Sequence, residues 1–167
     1  MSGGLGEMEE HDVGFRLPGK NGKAIDYEAE SHFQFGEFRG QTHRASAHMV
    51  KGGYTLDKVM WSPRVGYEFD WSPGDSDPSD QDLTNRVSGG GTTGRGAGNT
   101  HRTFHQFYPT NHAHFGYIDM MSWKNMRAHR LQLNAKPTKK LRSQVDFWYF
   151  DESPTPEGDG NGRTEDQ

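Results

Sequence analysis

Two alternating runs joined by a short polar turn restrict this chain more than any other feature. In Arg130-Leu-Gln-Leu-Asn-Ala135, Leu131, Leu133 and Ala135 fall on one side, and Arg130, Gln132 and Asn134 on the other. Beyond Lys136-Pro-Thr-Lys-Lys140, the run Leu141-Arg-Ser-Gln-Val-Asp-Phe-Trp-Tyr-Phe150 alternates again. Successive strand side chains project to opposite faces, so the pattern predicts a β-hairpin with one apolar and one polar face. In a soluble sandwich the polar face meets water. In an outer-membrane barrel the apolar face meets lipid and the polar face lines an aqueous lumen.

Composition favours the barrel. Only 30% of residues are hydrophobic and the mean hydropathy is −1.03, too little aliphatic content for a packed core. Yet aromatic residues reach 12% and fall on alternating positions. A wide barrel reconciles the two, because its polar interior needs no apolar filling and its outer band uses one residue in two. No apolar run is long enough for a transmembrane helix, so insertion must be by strands. Cysteine is absent, which excludes disulfide scaffolds, thiolate metal sites and cysteine nucleophiles. A net charge of −4 argues against nucleic acid as a partner. No basic and apolar leader follows Met1, so an outer-membrane destination predicts that the natural reading frame starts further upstream.

Residues 1–23 read as a polar N-terminal segment with a partial strand around Val13–Leu17. Residues 24–151 read as a barrel domain, and 152–167 as a polar loop or tail. Within the domain, Ile25–Phe35 places Ile25, Tyr27, Ala29, Phe33 and Phe35 on one face, Ser31 being the exception. The next strand, about 42–56, sets Ala45, Ala47 and Met49 opposite Arg44, Ser46 and His48. Its parity breaks at Gly52-Gly53, predicting a bulge. The cleanest strand puts Val65, Tyr67, Phe69 and Trp71 on one face and Arg64, Gly66, Glu68 and Asp70 on the other. A long irregular tract, 72–117, follows; strands are expected over 116–125, 126–135 and 141–150. Placing the Lys136–Lys140 turn in the periplasm sends the long tract outside, with Trp71 and Tyr149 near the outer interface and Tyr54 and Trp61 near the inner one. This is an all-β fragment of a large antiparallel transmembrane barrel. Five or six strands cannot close one, so further strands come from missing sequence or from other copies.

Phe107-Tyr-Pro-Thr-Asn-His112, Phe115-Gly-Tyr-Ile-Asp119, Trp123-Lys-Asn125, Arg130-Leu-Gln-Leu133 and Lys136-Pro-Thr-Lys-Lys-Leu141 together resemble the alginate export family of outer-membrane proteins. Tyr67-Glu-Phe-Asp70 with Gly74-Asp-Ser-Asp-Pro78, Ile25-Asp-Tyr-Glu-Ala-Glu30 with Phe33-Gln-Phe-Gly36, and Gly53-Tyr-Thr-Leu56 match the same pattern in the family's order. The resemblance implies a single-chain barrel of roughly eighteen strands, of which this chain supplies part of the C-terminal half. It further implies an outer-membrane location, contact with membrane lipid, a periplasmic secretion partner, and passive passage of an anionic uronic-acid polysaccharide or related solute. The chain departs from the pattern in its missing N-terminal half and in the Gly89–Gly98 insert.

By parity, Arg64, Arg130, Arg142, Gln132, Asn134, Glu68 and Asp70 face the lumen and are the candidate solute-binding residues. Tyr67, Phe69, Trp71, Leu131, Leu133, Phe147 and Tyr149 face lipid. Guanidinium groups hold carboxylates bidentately without losing charge, which suits a polyanion track. The plainer reading pairs these arginines with Glu68, Asp70 and Asp146 on the same face. Asp26, Glu28 and Glu30 make the local lumen more negative, so anion selectivity follows from the resemblance and not from this charge tally.

Four of the 9 histidines, His101, His105, His112 and His114, fall in the long tract. With no cysteine and no His-Glu-x-x-His pattern, loop histidines that sit in solvent or hydrogen-bond locally are expected rather than a metal site. Gly94-Arg-Gly-Ala-Gly98 lacks the Gly-Lys-Ser/Thr ending of a phosphate loop and reads as a linker. Asp75, Asp77 and Asp80 resemble a calcium loop in composition only. No acid/base pair or nucleophile signature stands out, and neither an enzyme nor a cofactor is expected. The competing class is a soluble β-sheet carbohydrate-binding module, with Tyr67, Phe69, Trp71, Phe147 and Tyr149 as its core.

Overall fold

The computed structural model describes residues 8–38, 41–74, 100–107 and 123–152. They form one sheet of β1 (Met8–Asn21), β2 (Ile25–Phe38), β3 (Gln41–Thr55), β4 (Arg64–Ser72), β5 (Thr100–His101), β6 (Met126–Ala135) and β7 (Ser143–Glu152). The order β1-β2-β3-β4-β6-β7 is an up-and-down antiparallel meander, and β5 adds a short parallel pairing to β3. No helix of the described residues is long and apolar enough to cross a membrane, a limit that does not bear on crossing by strands.

The large apolar side chains crowd one open face. Val13, Phe15 and Leu17 of β1, Tyr27, Phe33 and Phe35 of β2, Val50 and Tyr54 of β3, Val65, Tyr67 and Trp71 of β4, Leu131 and Leu133 of β6, and Val145, Phe147 and Tyr149 of β7 are all exposed. The register aligns them in rows, such as Tyr54 beside Val65 beside Leu133 beside Val145. The opposite face carries most of the paired charges and the small buried clusters, Ala45, Ala47 and Phe104 in one and Met126 with Ala128 in the other, while Arg44 and the Arg127–Asp151 pair stand on the outer face towards its far end. This inverts a soluble domain, where such side chains would be inside.

Three expectations change. Residues 8–21 form a 14-residue strand that pairs along its length with β2, so most of the polar N-terminal segment belongs to the sheet. Gly14, Pro18 and Gly19 thin out its alternation, which hides it in the sequence. In β3 the expected bulge is absent: pairing with β2 runs unbroken from Tyr54 opposite Ile25 to Gln41 opposite Phe38. The parity that holds is that of Val50 and Tyr54, so Ala45, Ala47 and Met49 share the polar face, while Arg44, Ser46 and His48 face outward. Outward Ser31 then makes sense, because its hydroxyl meets His48 Nδ1 at 3.1 Å and His48 Nε2 lies 3.1 Å from Ser46 Oγ. Third, residues 123–125 are not in a strand, and β7 starts at Ser143. The remainder of the strand expected at 116–125 lies outside the described residues.

The β1–β2, β3–β4 and β6–β7 connections lie at one end. Gly22 takes a positive φ of 62° between β1 and β2, a region glycine enters without a Cβ penalty. The 56–63 connection closes with the Leu56 amide donating to the Pro63 carbonyl at 2.8 Å. The Lys136 amide donates to the Trp61 carbonyl at 2.8 Å, tying this connection to the β6–β7 turn.

Candidate functional site

The site is the polar face, and strand register builds it in rows. One row runs Lys20, Asp26, Gly53, Gly66, Gln132, Asp146 across β1, β2, β3, β4, β6 and β7. The two central glycines leave a lane without side chains. Arg64, one row nearer the short turns, lays its guanidinium over both: a Cβ at Gly53 or Gly66 would strike it. From there Nε and Nη2 donate to the Asp26 carboxylate at 2.8 and 2.5 Å, and Nη1 donates to Gln132 Oε1 at 2.8 Å. The glycine pair that looked like a bulge is therefore space for an arginine.

The next row, Glu28, Lys51, Glu68, Arg130, Trp148, alternates in charge before ending on an indole. Lys51 Nζ lies 3.3 Å from Glu28, whose other oxygen accepts from Arg16 Nε at 2.6 Å. Arg130 donates to Glu68 at 3.2 Å and to Asp146 at 3.1 Å, with its guanidinium 5.0 Å from the centre of the Trp148 ring. Trp148 and Phe150 stack at 5.4 Å on this same face. Asp70 is buried in the following row, and neither of its carboxylate oxygens has a hydrogen-bond partner among the described residues.

Residues 100–107 fold back over the wall near its long-loop end. Phe104 sits in the hollow left by Ala45 and Ala47, with Trp123 packed against it. The Gln34 side chain clamps the His105 backbone, donating to its carbonyl at 2.6 Å and accepting from its amide at 2.8 Å. Beneath this segment lies a cleft of about 490 Å³ bordered by Asp12, Arg16, Glu30, Lys51, Glu68 and Asp70. His32 bridges Asp12 and Glu30 at its rim, at 2.8 and 3.0 Å.

A family model described as alginate export matches residues 3–153. The chain belongs to the alginate export family. Comparison with curated proteins and with solved structures gave no match. The family is one of outer-membrane export porins, transporters rather than enzymes, and the all-β antiparallel sheet fits a piece of such a barrel. The polar face of an alginate export barrel is its lumen side.

Of the residues singled out from the sequence, Arg64, Arg130, Gln132, Asn134, Glu68 and Asp70 lie on the polar face, while Tyr67, Phe69, Trp71, Leu131, Leu133, Phe147 and Tyr149 lie on the outer one. Arg142 does neither. It is exposed in the turn before β7, so the paired wall does not include it. His101 is buried and His105 is partly covered, so neither is a solvated histidine; both are hydrogen-bonded, His101 to His43 and His105 to Glu10. His112, His114, the Gly89–Gly98 run and the Asp75, Asp77 and Asp80 group lie outside the described residues. Arg16, Lys51 and Trp148 were missed as wall residues. Only correct parity in β1 and β3 could have revealed the first two.

Proposed function

We propose that this chain forms part of the wall of an outer-membrane channel that passes an anionic uronic-acid polysaccharide or a related solute. The observation that carries the reading is the pairing of a broad apolar band on the outer face with an inner face of bridged arginines and carboxylates. Arg64, Arg130, Gln132, Asn134, Glu68 and Asp70 contribute the solute-facing surface, joined by Arg16, Lys51 and Trp148. Arg64 and Arg130 are partly open to water, so their pairs with Asp26, Glu68 and Asp146 cost little to exchange. A uronate carboxylate takes the place of the wall carboxylate, is held bidentately, and is released when the wall group returns. Conduction needs such sites, strong enough to admit the solute and weak enough to let it go. Carboxylates outnumber cations on this stretch, so overall anion preference rests on the remaining wall. Further strands complete the barrel between β7 and β1, whose outer edges must not face lipid unpaired. The basic β6–β7 turn, with Lys136, Lys139, Lys140 and Arg142, is where a periplasmic delivery partner would meet the channel.

Reversal potentials across planar bilayers test the solute class. Anion preference, with current block by oligouronates that weakens in Arg64→Gln and Arg130→Gln, is expected; cation preference without block would overturn it. Nitroxides at Val65, Phe69, Leu133 and Phe147 test the orientation and should report contact with acyl chains. A protein recovered from the aqueous fraction without detergent would favour the carbohydrate-binding module.

A further inference from the structure

At the long-loop end of the wall, another row crosses the sheet as Glu10, Gly36, His43, His101. Gly36 holds φ at 144°, and a Cβ there would collide with the Glu9 backbone carbonyl, so no side chain separates Glu10 from His43. His105 closes over the gap from the folded-back segment, with Nδ1 2.6 Å from Glu10 Oε1. The three imidazoles lie close together, with ring centres 4.9–5.2 Å apart. One ligand-type atom from each of Glu10, His43 and His105 falls within a span of 4.8 Å.

Two further observations point to a cation. The Glu10 side chain is 2% exposed, yet its Oε2 has no hydrogen-bond partner among the described residues. A buried carboxylate oxygen is costly to leave so, and a cation would satisfy it. His43 Nε2 stands 3.7 Å from Glu10 Oε1 and 3.4 Å from Gln34 Oε1. The Gln34 contact is a long hydrogen bond, and the Glu10 distance, too long for one, is near the spacing of about 3.3 Å between neighbouring ligands on a tetrahedral zinc ion. Meanwhile His43 Nδ1 meets His101 Nδ1 at 2.9 Å. One of these nitrogens carries the proton; when it is His43, Nε2 keeps its lone pair for a metal, the orientation that outer partners of ligating histidines impose.

We propose that Glu10, His43 and His105 bind a borderline divalent transition-metal ion, zinc being the reference case, and that this ion fastens segment 100–107 to the wall. His101 and Gln34 act as positioning residues. Two imidazoles and one carboxylate favour zinc, copper or nickel over calcium or magnesium, which prefer oxygen alone. The binding site does not depend on the channel reading; its effect on permeation does.

The test uses the full-length protein in detergent micelles, freed of metal with a chelator and titrated with zinc by calorimetry. One equivalent should bind. Affinity should fall at least about tenfold in His43→Ala, His105→Ala and Glu10→Gln, and about 10–100-fold in His101→Ala. It should hold in a His112→Ala, His114→Ala double variant. Copper loaded into the unaltered protein supplies a readout that needs no variant to fold: its electron paramagnetic resonance should show nitrogen coupling from two imidazoles. No zinc uptake, no nitrogen coupling, or uptake indifferent to His43 and His105 would overturn the site. Zinc should also lower single-channel current in the unaltered protein and not in His105→Ala. Binding with unchanged current would overturn the fastening role, whereas zinc binding by a protein that forms no channel would refute the channel reading and leave the site standing.

Discussion

At the short-turn end of the wall, Arg64 lies across Gly53 and Gly66 in contact with water; at the long-loop end, Glu10 and His43 face each other across Gly36 beneath a folded segment. Both ends use glycine to let polar side chains meet over the sheet. They differ in what covers the meeting. Arg64 keeps a partly hydrated pair that can exchange partners, while Glu10 and His43 are shut away and must be satisfied locally. Burial thus separates the stretch of wall fitted to pass a charged solute from the stretch fitted to hold a loop.

The contrast can be broken most sharply at the glycines. Gly36→Ala should cost about 3 kcal/mol, because the positive φ strains any Cβ and the Glu9 carbonyl blocks it. Urea unfolding in lipid vesicles would measure the loss, and a cost near zero would erase the distinction between the two ends. Gln34→Ala should cost about 2 kcal/mol by removing the clamp on His105. Limited proteolysis should then cut within 100–107 well before the unaltered protein is touched. At the open end, Gly53→Ala should cost only about 1 kcal/mol, since the guanidinium can swing into water. The same unfolding assay reads it, and oligouronate block should weaken in parallel. The smallest effect is salt. Raising ionic strength should weaken the Arg64 and Arg130 pairs by a few tenths of a kcal/mol while leaving the Gln34 clamp unaffected. Comparing Arg130→Gln with Gln34→Ala at low and high salt would show it, because only the first difference should shrink.

Much of the sheet was legible because alternation is local. β2, β4, β6 and β7, their faces, and the outward set from Tyr67 to Tyr149 follow from a period of two along each strand. Family membership was legible as well, from short motifs in a shared order. β1 was only partly visible, since Gly14, Pro18 and Gly19 erase the contrast between its faces. The inner positions of Ala45, Ala47 and Met49 required the tertiary structure. Small apolar residues suit the polar face only because Phe104 returns from a distant segment to cover two of them.

The sequence by itself determined that this chain makes amphipathic strands rather than a conventional core, because its charges and rings alternate. Only the tertiary structure decided which residues are neighbours. Arg64 finds Asp26, and Glu10 finds His43 and His105, through hydrogen-bond register between strands and the return of a loop. Period tells a side chain which way to point, but a contact across strands depends on how far each strand slides before it pairs.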